Sequence, residues 1–354
     1  MNIGIIGSGM ISGRYIGSIQ EKFPELKICG IASNDMPQCR AKAVEFGLEP
    51  MEVSELLARE DIEMVIVLVP VGVHYQLCRQ VLEAGKHVYC EKTLTDDPAS
   101  ARELVALARE RGLLIGSAPD TFLGASLQTA RRAVDDGTLG EPTSFVIAHN
   151  RSNAFFLPRF PFLQQPGAGI LYDYGVYYIT ALVSLLGPVD SVFACVESPV
   201  RDYPGLEPGD APIANPNESR VNALIRMRSG VVGTYQANCD TNIWDFHTFK
   251  LCGTSSILML GDCNFFGEPV QVLSHDKFPD AVEELPMLLP KYAEESRGLG
   301  ACDLARAVAE ERAPRASGEL ACHVLDVLNA MLRSGESGVW ESVGSTCERP
   351  VPLV

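Results

Sequence analysis

Two short stretches carry residue types that could do chemistry. In "HVYCEKTLTD", His87 to Asp96, an apolar run ends in Glu91 beside Lys92. A charged pair ends a strand cheaply at the surface, but it can also place an amine where it handles a proton against a bound cofactor. The second stretch, Gly7-Ser8-Gly9-Met10-Ile11-Ser12, joins a strand-like "NIGII" to a helical pattern. In that context Gly7 permits a sharp turn and Gly9 lets the backbone approach a pyrophosphate, while small Ser12 lets the helix pack on the strand. The helix start, at Met10 and Ile11, then offers free N–H groups to the anion.

A chain that grips the ribose of NAD should end its second strand in an acid, about 20 residues past the glycines. Here that strand ends Ala32-Ser33-Asn34-Asp35, with the acid a place or two late and Asp35 equally able to cap the next helix. Ser33 and Asn34 are therefore the ribose candidates. No arginine stands at 34 to meet a 2′-phosphate, although Arg40 follows nearby. The expected cofactor is NAD, with NADP left open.

The elements that must position these residues fall into two groups. From Met1 to about Ala118, apolar runs such as "MVIVLVP" and "HVYCE" alternate with helical patterns such as "HYQLCRQVLEAG" and "PASARELVALARERG". That alternation implies a doubly wound parallel sheet with helices on both faces, an α/β Rossmann arrangement. After the helical "SLQTARRAVDDGTLG", strands follow strands: "TSFVIAHN", "VDSVFACVE", "RVNALIRMR", "GVVGTYQAN", "HTFKLCG" and "SILML". Ser229-Gly230 has the length of a two-residue hairpin. With helices expected at "ILYDYGVYYITALVSLLG" and "GELACHVLDVLNAMLRSG", the second domain reads as α+β with an open, mostly antiparallel sheet. We place the boundary so that residues 1–119 form the dinucleotide-binding domain and 120–354 the substrate-binding and oligomerisation domain. Prolines at 199, 204, 208, 212 and 216 mark a long irregular loop.

Composition narrows the partners. The 354 residues carry a formal net charge of −16, which repels phosphate backbones and anionic lipid, so neither nucleic acid nor membrane is an expected partner. No apolar run approaches the length of a membrane span. The chain starts without a basic leader, and its eleven cysteines are odd in number, scattered and free of any C-x-x-C pair. The expectation is a cytoplasmic protein with reduced thiols and no metal site.

Further segments turn this pattern into a resemblance. "LVPVGVHYQLCRQVLEAGKHVYCEKTLT", "IGSAPDTFLGASLQTARRAVDDGTLGEPTSF" and "GAGILYDYGVYYITALVSLLGPV" resemble the Gfo/Idh/MocA family of NAD(P)-dependent oxidoreductases, and the likeness continues through "ACDLARAVAEERAPRASGELACHVLDVLNAM" to "TCERPVPL". The resemblance implies a Rossmann domain followed by an α/β domain with an open sheet, and hydride transfer at a hydroxyl carbon of a sugar or related compound. It also implies that Glu91 and Lys92 lie at the nicotinamide end of the cofactor, with Lys92 on the substrate hydroxyl as general acid/base. A lysine partly desolvated beside a positive nicotinamide releases its proton more readily, which suits that role. Thr93 stands where the family has proline.

The same resemblance brings "DYGVYYIT" onto the family's Asp-x-Gly-x-His-x-x-Asp. Asp173 is retained, Tyr177 takes the histidine position and Thr180 the final acid. Asp173 and Tyr177 are four apart and share a face if helical. Asp173 would then orient a sugar hydroxyl and Tyr177 would bond the reacting oxygen or relay its proton. The competing reading makes Tyr172, Tyr174, Tyr177 and Tyr178 packing aromatics. Pro70, Val71 and His74 match the strand-end segment beside the nicotinamide, with His74 alternatively a helix cap. Asp120 stands at the crossing between the domains as a cofactor or substrate contact. Trp244 and His247 in "NIWDFH" offer a platform for a sugar ring, and Asn150, with His149 and Arg151, ends a strand that could reach the substrate.

By analogy with that family, the favoured activity is oxidation of a ring hydroxyl of a sugar or glycoside, with C3 the favoured carbon. Two rivals keep the nucleotide: a redox-assisted glycosidase that retains its cofactor, and a non-catalytic nucleotide-binding sensor. An open sheet face also implies a homo-oligomer.

Overall fold

A computed structural model describes residues 1–165, 167–242, 247–274 and 281–354. Its contacts divide the chain into two units, Met1–Leu123 with Glu294–Cys322, and Gly124–Ala293 with His323–Val354.

The first unit is built on strands β1 (Asn2–Ile6), β2 (Lys27–Ala32), β3 (Pro50–Met51), β4 (Met64–Val67), β5 (His87–Cys90) and β6 (Ile115–Ser117). They form one parallel sheet in the order β3-β2-β1-β4-β5-β6. Its helices are α1 (Met10–Lys22), α2 (Met36–Phe46), α3 (Val53–Ala58), α4 (His74–Glu83) and α5 (Pro98–Glu110). All four residues of β4 are buried, as a strand covered on both faces requires. The order reverses at β1 and β4, so the carboxyl ends of these two strands flank the crevice where this topology binds its ligand.

A late helix, α9 (Leu299–Ala309), also belongs to this unit. The sequence reading assigns its segment to the second domain, residues 120–354. Contacts decide otherwise. Ser117 donates its N–H to the carbonyl of Ala316 at 3.1 Å, and Gly300 packs so closely on the ring of Tyr89 that a Cβ there would collide with it.

The second unit holds β7 (Pro142–Asn150), β8 (Val189–Glu197), the short β9 (Asp202–Tyr203) and β10 (Ile213–Ala214), then β11 (Arg220–Met227), β12 (Val232–Asn238), β13 (His247–Gly253), β14 (Ser256–Leu260), β15 (Val270–Ser274), β16 (Glu283–Glu284) and β17 (Glu341–Ser342). Its helices are α6 (Ala125–Asp135), α7 (Asn153–Phe156) and α8 (Val176–Leu186), and α10 (Gly318–Ser337) enters it at His323. Nine strands pair in the order β16-β15-β14-β13-β7-β12-β11-β8-β17, antiparallel except where β12 meets β7. In β11 the buried Val221, Ala223, Ile225 and Met227 alternate with exposed Asn222, Leu224 and Arg226, the signature of a sheet with one covered face. Helix α8 is buried at every position but Leu186, so it runs through the core.

Two local expectations change. The β11–β12 hairpin closes with Met227 N–H on the carbonyl of Val231 at 2.8 Å, leaving a three-residue loop with Gly230 at φ 93°. A left-handed third residue sets the following strand in register, which a two-residue turn would not have needed. The proline-spaced segment is also better anchored than a free loop. Tyr203 and Ile213 pair across the β9–β10 ribbon and pack with Leu157 and Leu163 in a small apolar cluster.

Candidate active site

The candidate residues of the first unit begin at the glycine turn after β1. Gly7 has φ 118°, a conformation that side chains rarely adopt, and a Cβ there would collide with the carbonyl oxygen of Leu68. Gly9 caps α1 without any side-chain bond, and among the described residues a Cβ placed on it would meet no atom within 4 Å. Ser12 is buried and donates its hydroxyl to the carbonyl of Gly9 at 2.7 Å, drawing the helix start onto the turn. Open space over Gly9 and an uncapped helix start at Met10 and Ile11 fit a dinucleotide pyrophosphate. Gly7→Ala is expected to cost about 2–4 kcal/mol of stability. Gly9→Ala, which fills open space, should stay within about 0.5 kcal/mol of wild type while losing nucleotide affinity. Thermal melts with and without NAD separate the two effects; equal destabilisation by both would refute this division of roles.

At the end of β2 the ambiguity over Asp35 is resolved in favour of capping. Its carboxylate accepts the N–H of Gln38 at 3.0 Å, and its own N–H donates to Ser33 Oγ at 3.2 Å. Ser33, half-buried, and exposed Asn34 remain as the polar groups at that strand end.

Glu91 and Lys92 leave β5 as a turn held from several sides. Buried Glu91 accepts the Tyr15 hydroxyl at 2.7 Å and the N–H of Lys92 at 3.0 Å, while its own N–H donates to the Val67 carbonyl at 2.9 Å. The Lys92–Thr93 peptide is cis, as is Ala118–Pro119. Thr93 donates its hydroxyl to the carbonyl of Thr95 at 2.7 Å. His74 is fully buried, with Nδ1 2.8 Å from the carbonyl oxygen of Thr93 and Nε2 2.7 Å from that of Val69. Its ring therefore ties the Lys92 turn to the segment after β4 rather than presenting itself to a cofactor, and burial pushes its pKa down against the pull of the two carbonyls. Pro70, by contrast, is exposed at the start of a short 3₁₀ turn, Val71–Val73.

Asp120 is nearly inaccessible. One carboxylate oxygen accepts the N–H groups of Gly298 at 2.9 Å and Gly300 at 3.0 Å, so the side chain caps α9. Any cofactor contact at this position falls to the backbone. Burial raises its pKa to about 6, against the counter-effects of those two N–H groups and Arg297. A carboxyl raised in the folded state stabilises most when protonated: its contribution is full below the ordinary value near 4 and is lost as pH rises through 6. Asp120→Asn keeps an acceptor for α9 but cannot ionise. It is expected to gain on wild type by about 3 kcal/mol between pH 4 and pH 7.5, read from paired denaturant melts. A constant difference across that range would rule the ionisation out.

The second unit carries the remaining candidate residues. Residues Leu171–Gly175 form a single π-helical turn ahead of α8, not the regular α-helix the sequence suggests. Such turns re-aim side chains and cluster at functional sites. Asp173 lies within it, half-buried, and pairs with the guanidinium of Arg151, which is buried just beyond β7. Tyr177 is buried on the first turn of α8, its ring 5.9 Å from that of Tyr174. Thr180, at the position of the family's second acid, is buried in the core. Asn150 ends β7 half-buried and pairs with Asn238 in the sheet.

The structure also gathers residues that the sequence reading left among the packing aromatics. Tyr174 and Tyr178 both donate their hydroxyls to Asp262, which follows β14, and Tyr178 also meets His247 Nδ1 at 2.9 Å. Asp262 is 84 residues from Tyr178, and no local motif announces it. Trp244 lies outside the described residues. Among the described residues no three His, Cys, Asp or Glu side chains converge as a metal site.

These geometries agree with what the chain is similar to. A family model described as an oxidoreductase family with an NAD-binding Rossmann fold matches residues 1–118, and one described as the GFO/IDH/MocA C-terminal domain matches residues 127–258. The chain belongs to the Gfo/Idh/MocA family. As a member it is an oxidoreductase with an NAD-binding domain.

Its curated relatives include a dTDP-3,4-didehydro-2,6-dideoxy-alpha-D-glucose 3-reductase of Actinomadura kijaniata, 28% identical over 80% of this chain and 85% of that protein. A 1,5-anhydro-D-fructose reductase of Ensifer adhaerens is 28% identical over 72% and 74% of the two chains. An uncharacterized oxidoreductase of Schizosaccharomyces pombe is 35% identical, but the match spans only 45% of this chain and 43% of that one. Among solved structures, levoglucosan dehydrogenase in complex with NADH and L-sorbose shares the fold, with a TM-score of 0.84 over 98% of this chain and 99% of the other at 19% identity.

Proposed function

We propose that this Gfo/Idh/MocA member transfers a hydride between nicotinamide and a ring hydroxyl carbon of a sugar or glycoside, with C3 the favoured carbon. The supporting observation is the Lys92 turn. A buried carboxylate on its N–H and a buried imidazole on the next carbonyl hold the backbone, and so fix the point from which the lysine side chain leaves the chain. The names of the reductase relatives, both acting on sugar derivatives, support the substrate class.

When bound, nicotinamide supplies the hydride acceptor or donor. Gly7, Gly9, Met10 and Ile11 would hold the pyrophosphate, Ser33 and Asn34 the adenine-side ribose, and Pro70 with the backbone of Glu91 and Asp120 would border the nicotinamide. Lys92 Nζ takes the proton of the sugar hydroxyl as the C–H bond loses its hydride, and returns it in reduction. Asp173, paired with Arg151, orients a neighbouring hydroxyl, and the Tyr177 phenol donates to the reacting oxygen as it becomes a carbonyl. Asn150 and His247 complete the polar lining. NAD is the proposed cofactor form, since Asn34 offers no cation for a 2′-phosphate.

The test is to denature the purified protein, identify any released nucleotide by mass, then add glucose and several glucosides with NAD or NADP and follow the near-ultraviolet absorbance of reduced nicotinamide. Redox change with one sugar, absent in Lys92→Ala, is the expected result. No nucleotide and no response to any sugar would overturn the proposal.

We also propose a homo-oligomer through the uncovered sheet face. Register carries an outward row across it, Phe193, Leu224, Thr234, Val146, Lys250 and Met259, in which Phe193, Leu224 and Val146 are exposed apolar side chains. Light scattering that returns the monomer mass at micromolar concentration would refute it. The eleven free cysteines support a cytoplasmic setting, and no helix among the described residues is long and apolar enough to cross a membrane.

A further inference from the structure

Helix α8 carries a tyrosine that the proposed chemistry leaves unused. Tyr178 is fully buried, and its hydroxyl stands 3.1 Å from Asp262 Oδ1 and 2.9 Å from His247 Nδ1. Asp262, itself buried, also accepts the Tyr174 hydroxyl and the N–H of Asn264, the latter at 3.0 Å. A phenol has one proton to give. Given to the carboxylate it forms a charge-assisted bond, roughly twice as strong as the neutral bond it would make to an imidazole nitrogen. With its O–H donated to Asp262, the Tyr178 oxygen can only accept from His247. His247 must then carry a hydrogen on Nδ1.

That assignment decides what the other end of the ring can do. Nε2 lies 3.6 Å from Asp262 Oδ2, beyond hydrogen-bond distance, and among the described residues no hydrogen bond occupies it. The side chain keeps 18% of its surface exposed, so the ring is not sealed in the core. The ring cannot swing away freely. His149 stacks on Tyr178 with centroids 4.5 Å apart and is itself fixed by the Tyr235 hydroxyl at 2.8 Å, while the Tyr174 ring flanks His247 at 6.4 Å. The titratable groups around His247 are Asp262, Tyr174, Tyr178, His149 and, from beyond β14, Glu268.

We infer that Asp262 acts through Tyr178 as a positioning residue that fixes His247 with its proton on Nδ1 and presents Nε2 as an acceptor for a hydroxyl of the sugar. His247 thereby determines specificity: a substrate bearing that hydroxyl is accepted, and its deoxy analogue leaves Nε2 unpaired. The inference rests on the sugar oxidoreductase reading above, and it names one contact within it.

The test uses the full chain labelled with ¹⁵N-histidine at pH 8, with His247→Gln identifying the His247 signals. Wild type should show Nδ1 protonated and Nε2 bare. Tyr178→Phe and Asp262→Asn, both isosteric, should mix or reverse the tautomer, whereas Tyr174→Phe, which removes a bond to Asp262 but none to His247, should not. Wild type holding the proton on Nε2, or neither variant changing the signals, overturns the positioning role.

A second readout is kcat/KM for the sugar that is turned over and for its monodeoxy analogues. Wild type should discriminate against one deoxy position by roughly a hundredfold or more. Tyr178→Phe and Asp262→Asn should shrink that ratio at least tenfold, mainly through KM. An unchanged ratio in folded variants overturns the specificity role. If wild type turns over no sugar at all, the broader reading fails and takes the substrate contact with it, while the tautomer still decides the positioning role. Normal turnover with an unmoved tautomer sinks the inference alone.

Discussion

Lys92→Ala is expected to lower kcat by on the order of 10²–10⁴-fold while the protein folds and still releases nucleotide on denaturation. The size of the effect follows from what the side chain is asked to do. Removing a hydroxyl proton as hydride leaves is general-base work, and no water placed by chance replaces a positioned amine. The turn itself should survive the truncation, because Glu91 bonds the backbone N–H of Lys92 and His74 bonds the carbonyl of Thr93, neither through the lysine side chain. KM should therefore change far less than kcat. Lys92→Arg should not rescue, since a guanidinium remains protonated throughout the working range and cannot accept. Single-turnover absorbance of reduced nicotinamide, together with mass analysis of bound nucleotide, makes the measurement. A variant within about threefold of wild type would remove Lys92 from the chemistry.

Arg151→Met is the second large effect, and it is read first as stability. Arg151 is buried and pairs with Asp173 inside the π-helical turn. Replacing one partner of a buried pair leaves the other charge without its compensation, which costs about 3–5 kcal/mol. The melting temperature should fall by on the order of 10 °C. Adding Asp173→Asn should recover part of that loss, because the stranded charge is then gone, and a double-mutant cycle should give a coupling above about 1 kcal/mol. The recovered protein should remain inactive, since the proposed chemistry needs the carboxylate on a substrate hydroxyl. Additive losses in the cycle would show that the pair contributes nothing beyond its separate side chains.

Much of the candidate site was legible in the sequence where proposed chemistry and local structure coincide. The glycine turn is a local object: a strand, a sharp reversal at Gly7, open space over Gly9 and a helix start all lie within about a dozen residues, and short-range sterics dictate them. Glu91 and Lys92 were visible for the same reason, as charges at the end of an apolar strand. Their supports were not. Tyr15 comes to Glu91 from 76 residues away, and His74, expected to face a cofactor or cap a helix, is instead buried between two carbonyls. Asp120 shows the same limit, because its helix arrives 178 residues later.

The sequence by itself determined the two kinds of sheet, the nucleotide turn and the family, since hydrophobic period, glycine sterics and contiguous motifs are written in neighbouring residues. Tertiary structure alone decided that α9 belongs with the first unit, that Asp173 sits in a π-turn against Arg151, and that Asp262, Tyr178 and His247 meet. Those outcomes depend on which distant groups share a buried space. Burying a polar group without a partner costs more than any local preference supplies, so each such group takes the partner that packing brings to it.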